Sequence, residues 1–420
     1  MNKSASPVPE AHAAAAPAGA TDAFRLGSLD AFRGLVILTM TFVNYLAGIE
    51  NIPVWAKHMK PNSDGFTFVD VVFPGFLFIV GVAIPFAFHK RMARGESLPG
   101  LMRRIVTRSA SLIFVGVLMV NHPKFLSEAT GMRAEWWFLL AMLSVCVLWS
   151  HLPADAPPVK QRILLALRIG CGVLLAYLVC IVRTKTAAGG VAWLQTQWWG
   201  ILGLIGWAYL ISSLAYVACR GNTTALMGVL GGMILLYTGG RHGALDWMGP
   251  VHQWINVGAV FGTTAADVMI GILVGSCFVG PSAFAAHPQR VRFMLWLGLG
   301  LIAAGYLIRP LHGIDKNAAT EPYALITGGI CCLLLLAVYA VMDIWGKKAW
   351  AKWLVPVGQN ALLAYLLPGI LSGMLTLIGV KKFFFHYGSG LPGALNCAAL
   401  TALVAALTWV ATRRGILVRL

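Results

Sequence analysis

The sequence predicts an all-α, polytopic membrane protein of about 12 transmembrane helices, and three observations predict it. Of its 420 residues, 58% are hydrophobic and 11% charged, with mean hydropathy +0.76; soluble domains run at roughly 45–50% apolar and about 25% charged. Apolar stretches of about 20 residues, enough helix to cross a hydrocarbon core of about 30 Å, recur along the chain. The 32 Lys and Arg residues, set against 15 Asp and Glu, divide unevenly between alternate loops. The composition excludes a water-soluble enzyme.

In chain order the expected spans are 30–48, 68–88, 106–121, 135–151, 162–182, 198–218, 224–240, 258–280, 291–308, 322–342, 354–378 and 394–412, the fourth and seventh being the shortest. Residues 1–27, rich in Ala and Pro, are expected to form a disordered cytoplasmic tail, with 28–420 a single transmembrane domain whose first helix acts as an uncleaved signal anchor. Segments on the amino-terminal side carry 21 of the 32 basic residues, which the positive-inside rule makes cytoplasmic. Both termini are then cytoplasmic, and most of the +17 net charge is topology rather than a sign of a nucleic-acid partner. Gly200, Gly203 and Gly206, and separately Gly271 with Gly275, allow close backbone approach within a protomer or between two, so a homodimer is compatible. The eight cysteines lie in or beside apolar runs without ligand spacing, which indicates neither a disulfide framework nor a metal site.

Polar groups are costly at membrane depth, so those that persist are the candidates for function. The first helix opens with Ser28-Leu29-Asp30-Ala31-Phe32-Arg33-Gly34, where Ser28 is expected as N-cap and Asp30 can pair with Arg33 at i,i+3; capping with a positive-inside anchor explains the motif as well as a functional role does. Asn44 follows on the same helix. The first outer loop holds His58, whose ordinary pKa of about 6.5 suits proton transfer near neutrality, then Asp64 and Asp70. The six basic residues Lys90, Arg91, Arg94, Arg103, Arg104 and Arg108 gather around Glu96, a cluster that either positive-inside bias or the phosphates of a nucleotide-like cofactor explains. Asp267 lies well inside the eighth span, where a proton relay, a substrate contact and a helix-to-helix hydrogen bond all fit. Asn121, Lys316-Asn317 and Gly358-Gln359-Asn360 with Tyr365 complete the set.

With these motifs assembled, the chain resembles the transmembrane acetyltransferases related to heparan-alpha-glucosaminide N-acetyltransferase, including the bacterial NagX-type proteins. The resemblance rests on Ser28 to Gly34 leading to Phe42-Val43-Asn44, on Lys57-His58, and on Asp70-Val71-Val72-Phe73-Pro74-Gly75-Phe76-Leu77-Phe78-Ile79-Val80-Gly81. Asn121 near Pro123, Gly203 to Trp207, Gly262-Thr263, Lys316-Asn317 and Gly358-Gln359-Asn360 extend it along nearly the whole chain. It implies transfer of an acetyl group from cytoplasmic acetyl-CoA to the amine of an amino sugar or glycan reached from the opposite face of a bacterial inner membrane, with His58 as the catalytic residue. Acetyl-CoA would then meet Asp30, Arg33 and the basic loop. The interval from His58 to Asp70 is about two residues longer than the family's usual pattern, and spans four and five read as an insertion into a ten-helix core.

Acyl transfer to an amine needs a base for the amine proton and donors for the developing oxyanion. His58 is the expected base, Asp70 or Asp64 its orienting carboxylate, and Asn44, Asn121 or Asn360 the expected amide donors. An acetyl-histidine intermediate is the competing route. A secondary transporter of amino sugars is the alternative reading, since 12 spans and an intramembrane Asp267 suit one, although the signature from Leu29 to Gly81 has no second copy in the other half of the chain. An O-acyltransferase acting on a polysaccharide or lipid-linked glycan shares the same donor and histidine.

Overall fold

A computed structural model describes residues 26–152, 157–281, 283–381 and 388–419; most of the expected amino-terminal tail lies outside them. The fold is all-α. Its helices are α1 (Gly27–Leu46), α2 (Val72–Met92), α3 (Leu98–Asn121), α4 (Ala134–Leu148), α5 (Pro158–Ile181), α6 (Gly200–Ala218), α7 (Thr223–Arg241), α8 (Ala265–Ser276, entered through a π-turn at Gly258–Thr264), α9 (His287–His312), α10 (Glu321–Tyr339), α11 (Leu354–Gln359), α12 (Ala361–Leu377) and α13 (Gly390–Arg413). Among the described residues ten helices are long and apolar enough to cross a membrane, while Ala134–Leu148 and Ala361–Leu377 are shorter apolar helices.

Each expected span finds a helix, with two corrections. The eleventh is not continuous: at Asn360 the backbone turns out of helical geometry (φ −122°, ψ 44°) and separates α11 from α12. The first begins at Gly27 after Leu26, so Ser28 is not an N-cap; it lies inside the first turn, buried, and its hydroxyl finds no partner among the described residues. The expected Asp30–Arg33 pair does form, at 3.1 Å.

Close helix crossings hold the bundle, and glycines permit them. Side chains on the helices of a membrane bundle gain little from leaving lipid, so small residues that admit backbone contact decide where helices meet. A Cβ on Gly271 would fall 2.0 Å from the Phe78 carbonyl, and one on Gly81 would fall 1.9 Å from that of Val268, which fixes α2 against α8. Gly116 and Gly206 fix α3 against α6 in the same way, since Cβ atoms there would fall 2.4 Å from the Gly203 amide nitrogen and 2.9 Å from the Ser109 carbonyl. The glycine stripes singled out in the sequence therefore pack within the protomer. At the α1–α11 crossing a Cβ on Gly34 would meet the Leu354 carbonyl at 2.2 Å, and one on Gly358 would meet that of Asp30 at 1.9 Å. Two of the polar motifs are thereby pressed together. The segment Gly258–Ser276 is the most enclosed, and α5 lies at the periphery against α4. Two short antiparallel pairs complete the fold: β1 (Ser150–His151) with β4 (Leu417–Val418), and β2 (Thr184–Lys185) with β3 (Val191–Ala192).

Candidate active site

Polar side chains collect at both ends of α2. At its amino-terminal end, Thr67 precedes a 3₁₀ turn (Phe68–Val71) in a capping box that places Asp70 at the third position. The Asp70 side chain is fully buried, and its Oδ2 accepts from the Thr67 amide (3.0 Å), the Met59 amide (3.1 Å) and the Thr67 hydroxyl (3.2 Å). Oδ1 is left facing His58, whose Nδ1 lies 2.8 Å away. With its proton on Nδ1 the ring donates to that carboxylate, which only accepts, and the Nε2 lone pair is then the basic site. The Tyr323 hydroxyl donates to the Asp70 carbonyl at 2.6 Å and ties the turn to α10.

A second loop reaches the same place. Lys316, between α9 and α10, sets its Nζ 2.7 Å from His58 Nδ1 and 3.3 Å from Asp70 Oδ1. Asp315 accepts from the Asn317 and Ala318 amides and rigidifies the turn that presents Lys316. The sequence reading missed what clamps the base of this loop: Glu321, fully buried at the start of α10, accepts from His312 Nδ1 (2.7 Å) at the end of α9 and from the Thr238 hydroxyl (2.9 Å). A glutamate heading an apolar helix was its one sequence signal.

Several expected residues are placed elsewhere. Asp64 does not reach His58; Arg309 (Nε 3.0 Å) and the Ile314 amide (2.8 Å) hold it, so it latches the two outer loops together. Those hydrogen bonds, Arg309 first, keep its carboxyl below the usual carboxylate range. Asn121 is not free to donate to an oxyanion, because its amide serves the Val117 and Gln195 carbonyls, both at 2.7 Å. Asn360 likewise donates to Thr412 (3.2 Å) and the Ile416 carbonyl (2.8 Å) and accepts from the Val418 amide (2.9 Å), holding the carboxy-terminal strand at the helix break. Asn44 and Asn317 are exposed; among the described residues the Asn44 side chain shares no hydrogen bond with His58 or Asp70. Asp267 is buried on α8, with one oxygen lacking a partner in the described structure, and does not join the His58 cluster.

At the other end of α2 opens a cavity of about 980 Å³. Its walls include Phe76, Ile79, Leu112, Leu202 and Ile205, and its mouth gathers Asp30, Arg33, Lys90, Arg94, Arg108 and Arg419. Arg33 and Arg94 were expected there. Arg91 and Arg104 are instead engaged with Glu96, which their hydrogen bonds, Arg104 first, hold below the usual carboxylate range; Arg103 does not line the cavity. Lys90 and Arg108, the two ends of the expected basic loop, do line it, and Arg419 joins them unannounced. Arg108 stacks over Tyr209 at 4.7 Å, and its buried Nε–H has no acceptor among the described residues, as suits a cation that awaits an anionic ligand. From Phe76 in the cavity wall to Asp70 is six residues of α2 and the 3₁₀ turn before it, about 9 Å of rise.

A family description matches residues 25–264, from the start of α1 to the entry into α8. The chain belongs to the family named Domain of unknown function (DUF5009). The chain is also 27% identical over 377 residues to human heparan-alpha-glucosaminide N-acetyltransferase, covering 81% of this chain and 52% of the relative. To the mouse protein of the same name it is 42% identical over 102 residues, 24% of this chain and 15% of that one. The chain thus spans about half the length of the human relative. The DUF5009 match takes in His58, Asp70 and the Arg33, Lys90, Arg94 and Arg108 side of the cavity, but not Lys316 or Arg419.

Proposed function

We propose that the protein is a multi-pass membrane N-acetyltransferase that moves an acetyl group from acetyl-CoA, bound in the basic cavity, to the amine of an amino sugar or related glycan at the His58 end. The observation that carries this reading is the pairing of a His–Asp dyad with an arginine-rich cavity at opposite ends of one helix. Lys90 and Asp70 are 20 residues apart along that helix and the 3₁₀ turn that leads into it, roughly 30 Å, close to the thickness of a hydrocarbon core. The names of the human and mouse relatives support the same chemistry.

The cavity fits acetyl-CoA. Arg33, Lys90, Arg94, Arg108 and Arg419 supply cations and guanidinium forks for phosphates, and Phe76, Ile79, Leu112 and Leu202 form an apolar passage for an acyl-bearing arm. The neutral acceptor amine attacks the thioester carbonyl carbon and forms the C–N bond. His58 Nε2 takes the amine proton while Asp70 holds the ring by Nδ1, and collapse of the tetrahedral intermediate breaks the C–S bond and releases CoA thiolate, which is then protonated. The uneven distribution of Lys and Arg supports a cytoplasmic cavity, a periplasmic His58 loop and cytoplasmic termini.

Two measurements test the reading. CoA is expected to raise the Tm of the detergent-solubilised protein in proportion to the logarithm of its concentration above Kd; no stabilisation at millimolar CoA would turn the assignment toward a transporter. His58→Ala is expected to keep that stabilisation and to lose acetyl transfer by at least the roughly 10²–10⁴-fold typical of a general base, and a fully active variant would remove His58 from the mechanism.

A further inference from the structure

We infer that Lys316 is the standing counter-ion of Asp70 and that, as a positioning residue, it keeps His58 uncharged and therefore competent as a base. The inference rests on the acetyltransferase reading only for its consequence in catalysis; the electrostatic arrangement stands without it.

Asp70 is a buried carboxylate with two cations within reach, the Lys316 ammonium 3.3 Å from Oδ1 and, if protonated, the His58 ring at 2.8 Å. A buried carboxylate needs one charge partner, and the group with the greater proton affinity supplies it. Lysine and histidine differ by about four units in ordinary pKa, about 10.4 against about 6.5. Burial pulls the Lys316 ammonium below its ordinary value and the Asp70 carboxylate opposes that pull. Lys316 nonetheless starts far ahead of the imidazole. Once it carries the charge, a proton on Nε2 would place an imidazolium 2.7 Å from an ammonium, and that repulsion disfavours the charged ring.

The remaining charged groups around the ring do not alter this balance. Asp64 is engaged with Arg309, and Asp315 with the amides of Asn62, Asn317 and Ala318. Lys57 and Lys60 flank His58 in its own loop and add further positive charge, while the Tyr323 hydroxyl donates to the Asp70 carbonyl. With Lys316 removed, His58 becomes the nearest cation source for a buried anion and is drawn into the imidazolium form, which cannot accept a proton.

The test reads the ring directly. Diethyl pyrocarbonate acylates the neutral imidazole, so the pH midpoint of His58 labelling, followed by peptide mass spectrometry without substrates, reports its protonation. Lys316→Met is expected to raise that midpoint by at least one pH unit, a tenfold fall in labelling rate at pH below the midpoint, whereas Lys316→Arg, which keeps the cation, stays near the wild type. The acid limb of kcat/KM should rise in parallel, so that Lys316→Met loses far more activity at pH 6.5 than at pH 8.5. Lys316→Gln serves where the Met variant does not fold. An unchanged or lowered labelling midpoint in the folded neutral variant would overturn the assignment. A raised midpoint in a protein that transfers no acetyl group would uphold it while overturning the acetyltransferase reading.

Discussion

His58 and Asp70 stand 12 residues apart in the chain, and Thr67 decides that they meet. Its capping box spends one Asp70 oxygen on backbone amides and turns the other to the imidazole. Asp70→Asn preserves that shape but offers Nδ1–H a weaker, neutral partner and permits the wrong tautomer. It is expected to lower kcat by roughly 10²-fold or more while leaving CoA affinity unchanged, as steady-state kinetics with separate CoA titration would show. The histidine was legible as a candidate because few side chains titrate near neutrality. Which carboxylate served it was not, since Asp64 and Asp70 both follow within 12 residues; only the three-dimensional claim of Arg309 on Asp64 separates them. That latch has a pH signature. A carboxyl held low in the folded state contributes stability above its unfolded pKa of about 3.9 and loses it as pH falls through the folded value, so the outer loops should stay latched at neutral pH and loosen only in acid.

Helices were the most legible level, because span length and polarity obey the bilayer rather than tertiary detail. The exception is the eleventh span. Gly358-Gln359-Asn360 reads as a polar insertion into an apolar helix, whereas Asn360 ends one helix and carries the carboxy-terminal strand on its amide, a bond to residues 56 and 58 positions away that no local pattern announces. Glycine stripes were legible as packing surfaces, but their partners were not. Gly271→Leu should force α2 and α8 apart, at a cost of at least the ~1–3 kcal/mol usual for overpacking, and lower the Tm or the folded yield. Gly228→Leu on α7, where a Cβ meets nothing within 4 Å, should be close to neutral in the same assay.

Across the whole molecule, charge asymmetry leads to the expectation that donor and acceptor are handled on two faces, and α2 is the element that joins the two polar regions to which the proposal assigns them. Lys316 reaches His58 across 258 residues because the α9–α10 loop and the first outer loop emerge at the same end. An alternating count of spans implies that coincidence but cannot give the contact. Arg108 belongs to the basic loop that the sequence singles out, whereas Arg419 could not be assigned to the cavity in advance, since its approach depends on the carboxy-terminal strand. The central claim, that donor and acceptor are handled on opposite faces through His58, is tested most directly in sealed vesicles of one orientation. Labelled acetyl-CoA is confined to the side of the basic cavity and glucosamine to the side of His58. The account predicts labelled N-acetylglucosamine on the glucosamine side with the wild type and none with His58→Ala. Product that forms only when both substrates share one side, or equal product from the variant, would contradict it.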